Sequence, residues 1–140
     1  MNKRFYFDTS IWLDFLEERN EPNMPKSDWA NKLVAKIIRK GDFILYSDMV
    51  LIELENEGYS SFDIENLFFI IEQNLIFVES TNAEIKRAKD LALKRDIPKG
   101  DALHALIARD NNSILVSLDN HFQLLKDIAK IKKPQELIEL

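Results

Sequence analysis

Short apolar segments of strand length alternate with helical segments along this chain, and this alternation most constrains its fold. The first, Arg4–Phe7, is aromatic without polar alternation, which is typical of a strand buried on both faces of a parallel sheet. Similar runs stand at 43–46, 75–78 and 114–116, and 128–131 has the length of an edge strand. Repeated strand–helix pairs predict an α/β fold, a three-layer α/β/α sandwich with a central parallel sheet of four to five strands.

Helical periodicity fills the intervals between the predicted strands. Oxygen-bearing residues precede several of these helices, and Gly41 and Gly58 follow two of them. Residues 19–28 are polar, contain Pro22 and Pro25, and are predicted to form a loop. The predicted helices cover 11–16, 29–40, 49–57, 62–73, 83–94 and 101–108, with a last helical turn beginning at Pro134.

Length and composition limit the class of protein further. A chain of 140 residues with 46% hydrophobic residues has the size of one domain, so we expect a single domain over 1–140. The absence of cysteine excludes disulfide frameworks, thiolate zinc sites and cysteine nucleophiles. The segment before Asp8 is too short for a signal peptide or a membrane span, so we expect a cytoplasmic protein without membrane association.

The net charge bears on the kind of partner. With 19 Lys and Arg against 24 Asp and Glu the formal charge is −5, which provides no global attraction for a polyanion. If carboxylates hold divalent cations, one ion changes −5 to −3 and two change it to −1, with the correction concentrated at the site. The acidic composition therefore weakens the hypothesis of a nucleic-acid partner without excluding it.

Two acids follow predicted strands directly or nearly so. Asp8 follows the first strand and Asp119 follows the strand at 114–116, and each has a hydroxyl residue close by, Ser10 and Ser117. In open parallel sheets the ligand crevice lies at the carboxyl ends of the strands, where loops from different strands converge. We therefore expect Asp8 and Asp119 to lie at the same edge of the sheet.

Two further acids stand in apolar surroundings. Glu53 lies within the apolar run 49–54, and Asp101 opens a helix whose next residues are almost wholly apolar. A buried carboxylate without a partner is costly and tends to protonate. No row of Lys or Arg in these segments supplies a partner, so a hard divalent cation such as Mg²⁺ or Mn²⁺ is the economical candidate. A water on such an ion can attack a phosphodiester.

Each acid taken alone has a simpler interpretation. Asp8 and Asp101 could each be the N-cap of the following helix. Glu53 could lie on a solvated stripe of its helix, and Asp119 could be a turn former. Only the joint pattern of the four acids favours a metal site over these alternatives.

The other chemistry-bearing residues favour structural roles. His104, in an apolar helix, is more often a packed, hydrogen-bonded side chain than a ligand, and His121 is expected at the surface or in a turn. Trp12 and Trp29 are expected to pack in or near the core. The basic residues best placed to meet phosphate, because they lead into Asp101, are Lys94, Arg95 and Lys99.

The acidic motifs resemble those of the PIN domains, and within that family the toxins of the VapC type. The matching motifs span nearly the whole chain in the family's order and spacing. They are FDTS at 7–10, Ser47 followed six residues later by Glu53 and Leu54, PKGDALHA at 98–105, and SLDNHF at 117–122.

The resemblance implies a Rossmann-like sandwich that hydrolyses RNA phosphodiester bonds with Mg²⁺ or Mn²⁺ as cofactor. The residues that match the family's four acids are Asp8, Glu53, Asp101 and Asp119, and those that match its accessory hydroxyls are Ser10 and Ser117. The resemblance also implies a homodimer and a small antitoxin as protein partner. The expected function is a metal-dependent endoribonuclease, the toxin of a toxin–antitoxin pair.

Two other functions compete with this expectation. One is a PIN-like module that binds RNA or protein without cutting. The other is a phosphatase of the haloacid-dehalogenase type, which is disfavoured because Ser10 stands where that class has its second acid, two residues after the first. The loop at 19–28 departs from the family pattern, either as a clamp for RNA or antitoxin or as surface variation.

Overall fold

A parallel sheet of five strands forms the centre of the computed structural model, which describes residues 2–138. In chain order the strands are β1 (Arg4–Phe7), β2 (Asn20–Glu21), β3 (Met24–Pro25), β4 (Phe43–Ser47), β5 (Leu75–Val78), β6 (Ile114–Val116) and β7 (Ile131–Lys132). The central sheet has the order β5-β4-β1-β6-β7, and every neighbouring pair is parallel. Strands β2 and β3 form a separate antiparallel hairpin.

Helices cover both faces of this sheet. They are α1 (Thr9–Leu16), α2 (Lys26–Lys40), α3 (Asp48–Asn56), α4 (Ser61–Ile70), α5 (Asn82–Arg95), α6 (Lys99–Asp110) and α7 (Pro134–Ile138), and short 3-10 helices occupy Glu72–Asn74 and Asn120–Leu125. The predicted three-layer α/β/α sandwich is thereby confirmed, with five strands at the upper end of the predicted range. No helix within residues 2–138 has the length and apolarity needed to cross a bilayer.

The central position of β1 explains its composition. Tyr6 and Phe7 are fully buried although successive residues of a strand point to opposite faces. Because helices cover both faces, each of these aromatic side chains has an apolar environment. Strand β1 lies between β4 and β6, so the carboxyl ends of these three strands meet at one edge of the sheet.

Four helices, α1, α3, α4 and α5, begin with a local side-chain cap. The side chain of Asp8 accepts a hydrogen bond from the backbone of Ile11 at the start of α1, and Ser47 does the same for Val50 at the start of α3. Helices α4 and α5 each begin with a complete capping box. Gly41 ends α2 in the left-handed conformation, with φ of 70°, which favours glycine.

The predicted loop at 19–28 is wrong in part, because it contains the β2–β3 hairpin and the first residues of α2. Helix α2 begins at Lys26 rather than Trp29. The amides of Ser27 and Asp28 donate to Asn20 Oδ1 at 3.1 and 3.3 Å. This side chain satisfies free amides of the first turn from across the hairpin, a contact that local sequence does not reveal.

The edge strand and one helix also differ from prediction. Strand β7 is Ile131–Lys132 rather than 128–131, because Ile128 and Ala129 form a turn whose amides both donate to Leu125 O, at 2.9 and 3.1 Å. The predicted helix 62–73 is α4 followed by the 3-10 helix Glu72–Asn74, with the break at Ile71.

Candidate metal centre

The four predicted acids line one pocket of about 220 Å³ at the carboxyl edge of the sheet. They reach it from different elements: Asp8 follows β1, Glu53 lies on α3, Asp101 lies on α6 and Asp119 follows β6. The other lining residues are Thr9, Ser10, Leu13, Arg19, Glu57 and His104. Asp8 and Asp119 therefore lie at the same edge of the sheet, as predicted.

Asp8 is both the N-cap of α1 and a buried carboxylate of the pocket. Its Oδ1 accepts from Ser10 Oγ at 2.8 Å and from the Ile11 amide at 3.1 Å, and its Oδ2 accepts from Ser117 Oγ at 2.6 Å. Burial raises the pKa of Asp8, and the hydrogen bonds from Ser117 and Ser10 oppose that rise. The capping interpretation and the pocket position are thus both correct for Asp8, and both predicted serines contact it.

Glu53 is half-buried and held by two side chains from other elements. Its Oε1 accepts from Thr9 Oγ1 at 2.9 Å and makes a short hydrogen bond with His104 Nε2. Burial raises the pKa of Glu53, but the hydrogen bond and charge of His104 and the hydrogen bond from Thr9 outweigh burial, so its pKa lies below the ordinary value. Glu53 therefore faces the pocket and is not part of a solvated stripe.

His104 belongs to a buried chain of hydrogen bonds that ends on Glu53. Its Nδ1 lies 2.6 Å from Tyr6 Oη, which is 2.7 Å from Ser47 Oγ. His104 is buried, as expected of a packed histidine, yet it also contacts a pocket carboxylate. Neither this contact nor that of Thr9 was predicted, because each partner of Glu53 lies more than forty residues away in sequence.

Asp101 lies in the first turn of α6 and is not its cap. Pro98 occupies the N-cap position and makes no side-chain hydrogen bond there, so the capping interpretation of Asp101 is wrong. Its buried Oδ2 has no hydrogen-bond partner among residues 2–138, although His121 Nδ1 lies 3.2 Å away. Burial and the charge of Asp119 raise the pKa of Asp101 to about 6.

Asp119 lies on the exposed side of the pocket, and His121 is exposed next to it. Asp119 Oδ1 accepts from the backbone of His121 at 2.9 Å, which caps the 3-10 helix that follows and bears out its turn-forming role. Ligand atoms of Asp101, Asp119 and His121 all lie within 4.8 Å of one another. His121, which we expected only in a turn or at the surface, is exposed but lies beside the predicted acids.

This donor set fits a divalent cation. Carboxylate oxygens are the ligands that Mg²⁺ and Mn²⁺ prefer. The buried Oδ2 of Asp101, which accepts no hydrogen bond from residues 2–138, is the atom that a cation would satisfy. Asp101 and Asp119 would hold such an ion most directly, while Asp8 and Glu53 line the same space and keep their hydrogen bonds to serine, threonine and histidine.

The basic residues predicted to meet phosphate do not line the pocket. Arg95 instead forms a two-pronged ion pair with Asp127, at 2.7 and 2.8 Å, and also donates to Leu124 O. Lys94 pairs with Asp90 at 3.1 Å, and Lys99 is exposed outside the pocket lining. The basic side chain that does line the pocket, among residues 2–138, is that of Arg19, which lies in the segment predicted to be a loop.

Sequence comparison shows the family of the chain, and structure comparison shows its fold. The sequence model of the family described as PIN domain matches residues 5–128. No curated protein sequence matches the chain.

Among solved structures, similarity is to proteins of low sequence identity. One is the crystal structure of VapBC2 from Rickettsia felis bound to a DNA fragment from their promoter, with TM-score 0.62, 17% identity, and coverage of 93% of this chain and 98% of that chain. Another is VapBC-1 from nontypeable Haemophilus influenzae, with TM-score 0.66, 16% identity, and coverage of 94% and 98%. A third is PAE2754 from Pyrobaculum aerophilum, with TM-score 0.60, 16% identity, and coverage of 99% and 96%.

At these identities the structural similarity concerns the fold. The family match covers most of the chain and includes all four predicted acids. On this evidence the chain belongs to the PIN domain family.

Proposed function

We propose that this PIN domain is a metal-dependent endoribonuclease of the VapC toxin type. The observation that carries the proposal is the pocket in which Asp8, Glu53, Asp101 and Asp119 converge. One buried carboxylate oxygen of Asp101 has no hydrogen-bond partner in the described part of the chain. Capping accounts for Asp8 and Asp119 but not for Glu53 and Asp101, so no single structural role explains why the four acids meet. They are the ligand set that metal-assisted phosphodiester hydrolysis requires.

In this proposal the pocket residues divide into ligands and the groups that orient them. Asp8, Glu53, Asp101 and Asp119 would hold Mg²⁺ or Mn²⁺, which when bound would supply an activated water and stabilise developing negative charge. Ser10 and Ser117 donate to the two oxygens of Asp8 and so fix its carboxylate. Thr9 and His104 do the same for Glu53.

We also propose the protein partners that accompany this function. VapBC complexes are structural neighbours, and so is FitAcB from Neisseria gonorrhoeae, with TM-score 0.58 and 17% identity. These likenesses support a small antitoxin that binds this chain. A homodimer as its assembly and a cytoplasmic, single-domain protein over 1–140 are further parts of the proposal. Size-exclusion chromatography with light scattering tests the dimer, and co-expression with the gene adjacent to this one tests the antitoxin.

The test of the activity compares purified wild type with the Asp8→Asn and Asp101→Asn variants on single-stranded RNA. Cleavage is expected with Mg²⁺ or Mn²⁺, to be lost in EDTA, and to be lost in both variants while their circular dichroism stays that of the wild type. A wild type that binds RNA without cutting it would favour the non-catalytic binding module. Cleavage that survives in both variants would refute the site.

A further inference from the structure

Arg19 brings a positive charge into a pocket that is otherwise acidic. Within residues 2–138 it is the only Lys or Arg that lines the pocket, where it faces the same space as five carboxylates. In the described part of the chain its ion-pair partner is not one of these five but Asp14. Among residues 2–138, none of the five pocket carboxylates therefore forms an ion pair with the guanidinium.

Asp14 anchors the arginine from the protein interior. Asp14 Oδ1 lies 3.5 Å from Arg19 Nε, and the side chain of Asp14 is 3% exposed whereas that of Arg19 is 37% exposed. Burial raises the pKa of Asp14 to about 6, and the charge of Arg19 opposes that rise. A guanidinium has five N–H donors, so an ion pair through Nε leaves donors for a ligand.

The backbone of Arg19 is fixed as well. Its amide donates to Ser27 Oγ at 2.6 Å, and the same hydroxyl donates to Glu17 O at 2.5 Å. Ser27 is buried at the start of α2, and its hydroxyl connects the residues before the β2–β3 hairpin to the helix after it. Arg19 thus enters the pocket from a position that is tied to both α1 and α2.

Phosphate is the ligand class that fits such a group. The planar guanidinium matches two phosphate oxygens at once, and RNA presents a phosphate at every nucleotide. The protein carries a net charge of −5, so local cations must offset repulsion of the RNA backbone. Arg95 and Lys94, on α5, have their charges matched by Asp127 and Asp90.

We propose that Arg19 is a phosphate-binding residue of the RNA site and that Asp14 is its positioning residue. The inference rests on the proposed ribonuclease function, because it takes RNA as the substrate. A purely structural ion pair that pins the hairpin to α1 is the competing interpretation. The two differ in salt dependence, because only a phosphate contact releases a counterion from RNA when it forms.

The test measures binding of a fluorescein-labelled single-stranded RNA by anisotropy over a series of salt concentrations. All proteins carry Asp8→Asn so that the probe stays intact. Arg19→Gln is expected to weaken binding about tenfold, in line with loss of a charge-assisted hydrogen bond. It is also expected to reduce the slope of log affinity against log salt by about 0.7, the value for one phosphate contact with a single strand.

Three further variants separate charge, geometry and fold. Lys26→Gln is the matched control, because Lys26 pairs with Glu21 on the same hairpin and lies outside the pocket lining. It should leave affinity and slope unchanged. Arg19→Lys should keep the slope and bind with intermediate affinity. Asp14→Asn should also keep the slope but weaken binding, because the arginine remains charged and loses its anchor.

The outcomes also separate this inference from the proposed function. If wild type, with Asp8 intact, cleaves RNA in Mg²⁺ while Arg19→Gln binds with wild-type affinity and slope, the inference is overturned and the ribonuclease stands. Equal losses in Arg19→Gln and Lys26→Gln would overturn it too, because net charge alone would explain them. If wild type neither binds nor cleaves RNA, both fall. Should Arg19→Gln fail to fold by circular dichroism, the slope and affinity of Arg19→Lys decide the question.

Discussion

Ser117 and Asp8 are joined by a buried hydrogen bond across neighbouring strands, in which Ser117 Oγ donates to Asp8 Oδ2 at 2.6 Å. The same hydroxyl oxygen accepts the backbone N–H of Asp119 at 3.0 Å. One side chain after β6 therefore sets the position of the carboxylate after β1 and of the backbone that carries Asp119. This contact can form only because β1 and β6 are adjacent and parallel.

Ser117→Ala is expected to destabilise the protein and impair the metal site together. Asp8 Oδ2 would lose its donor while still buried, which costs about 1–3 kcal/mol of the free energy of unfolding. Urea unfolding measures that loss, and calorimetric titration with Mn²⁺ measures the accompanying fall in affinity. The matched control is Ser113→Ala, since Ser113 is also buried but donates to Asn111 O at 3.1 Å, away from the pocket. Wild-type affinity for Mn²⁺ in Ser117→Ala would contradict the role given to this hydroxyl.

Thr9→Val removes the hydrogen bond to Glu53 Oε1 and nearly preserves side-chain shape. Groups that orient metal ligands typically contribute about 10- to 100-fold to metal affinity or activity. We therefore expect RNA cleavage to fall by about this factor, with Mn²⁺ affinity reduced in parallel. A variant whose cleavage rate equals that of the wild type would show that His104 alone is sufficient to hold Glu53.

Asp101 and Asp14 make the metal-free protein less stable as the pH rises. Each has a folded-state pKa of about 6, above the ordinary value of 3.8. Their contribution to stability is therefore fully present below the ordinary pKa and is lost as the pH increases through about 6. In EDTA, the free energy of unfolding should decrease across this range, and less so in the Asp101→Asn variant.

Stabilisation of the protein by Mg²⁺ should increase as the pH rises, because Mg²⁺ binds the ionised form of Asp101. Since that carboxyl has a pKa of about 6, affinity should be roughly tenfold lower at about pH 5 than at about pH 7. At a concentration of about 100 times the dissociation constant, bound Mg²⁺ adds about 2.7 kcal/mol to the free energy of unfolding. Thermal unfolding with and without Mg²⁺ at both pH values measures this. An equal stabilisation at the two pH values would contradict a role for Asp101 as ligand.

Arg95→Ala should leave catalysis unchanged and cost little stability. Its guanidinium is paired with Asp127 on an exposed surface, and such pairs contribute at most about 1 kcal/mol. Chemical unfolding and the initial rate of RNA cleavage check the two expectations. From the sequence, Arg95 is predicted to contact phosphate because it precedes Asp101. A large loss of cleavage in Arg95→Ala would support that prediction.

The sequence was enough to predict the layered fold and to predict that the four acids lie together. Strand β1 is apolar on both faces and Asp8 follows it, and in a parallel sheet this order places the acid at the ligand edge. Local chemistry also determined several helix starts, because caps such as Ser47 act on amides within a few residues. These features depend on short-range periodicity and on general rules of sheet topology.

Apart from Ser10 and Ser117, which the family resemblance already indicated, only the tertiary structure decided which side chains hold and complement the acids. Asn20 satisfies the first turn of α2 from across a hairpin, and Arg19 enters the pocket through its pairing with Asp14. Glu53 meets Thr9 across 44 positions and His104 across 51. Such contacts depend on how separate elements pack against one another. The local periodicity of the sequence carries no information about this packing. The sequence determined the acids and their edge of the sheet, whereas packing determined their partners, their pKa values and the arginine beside them.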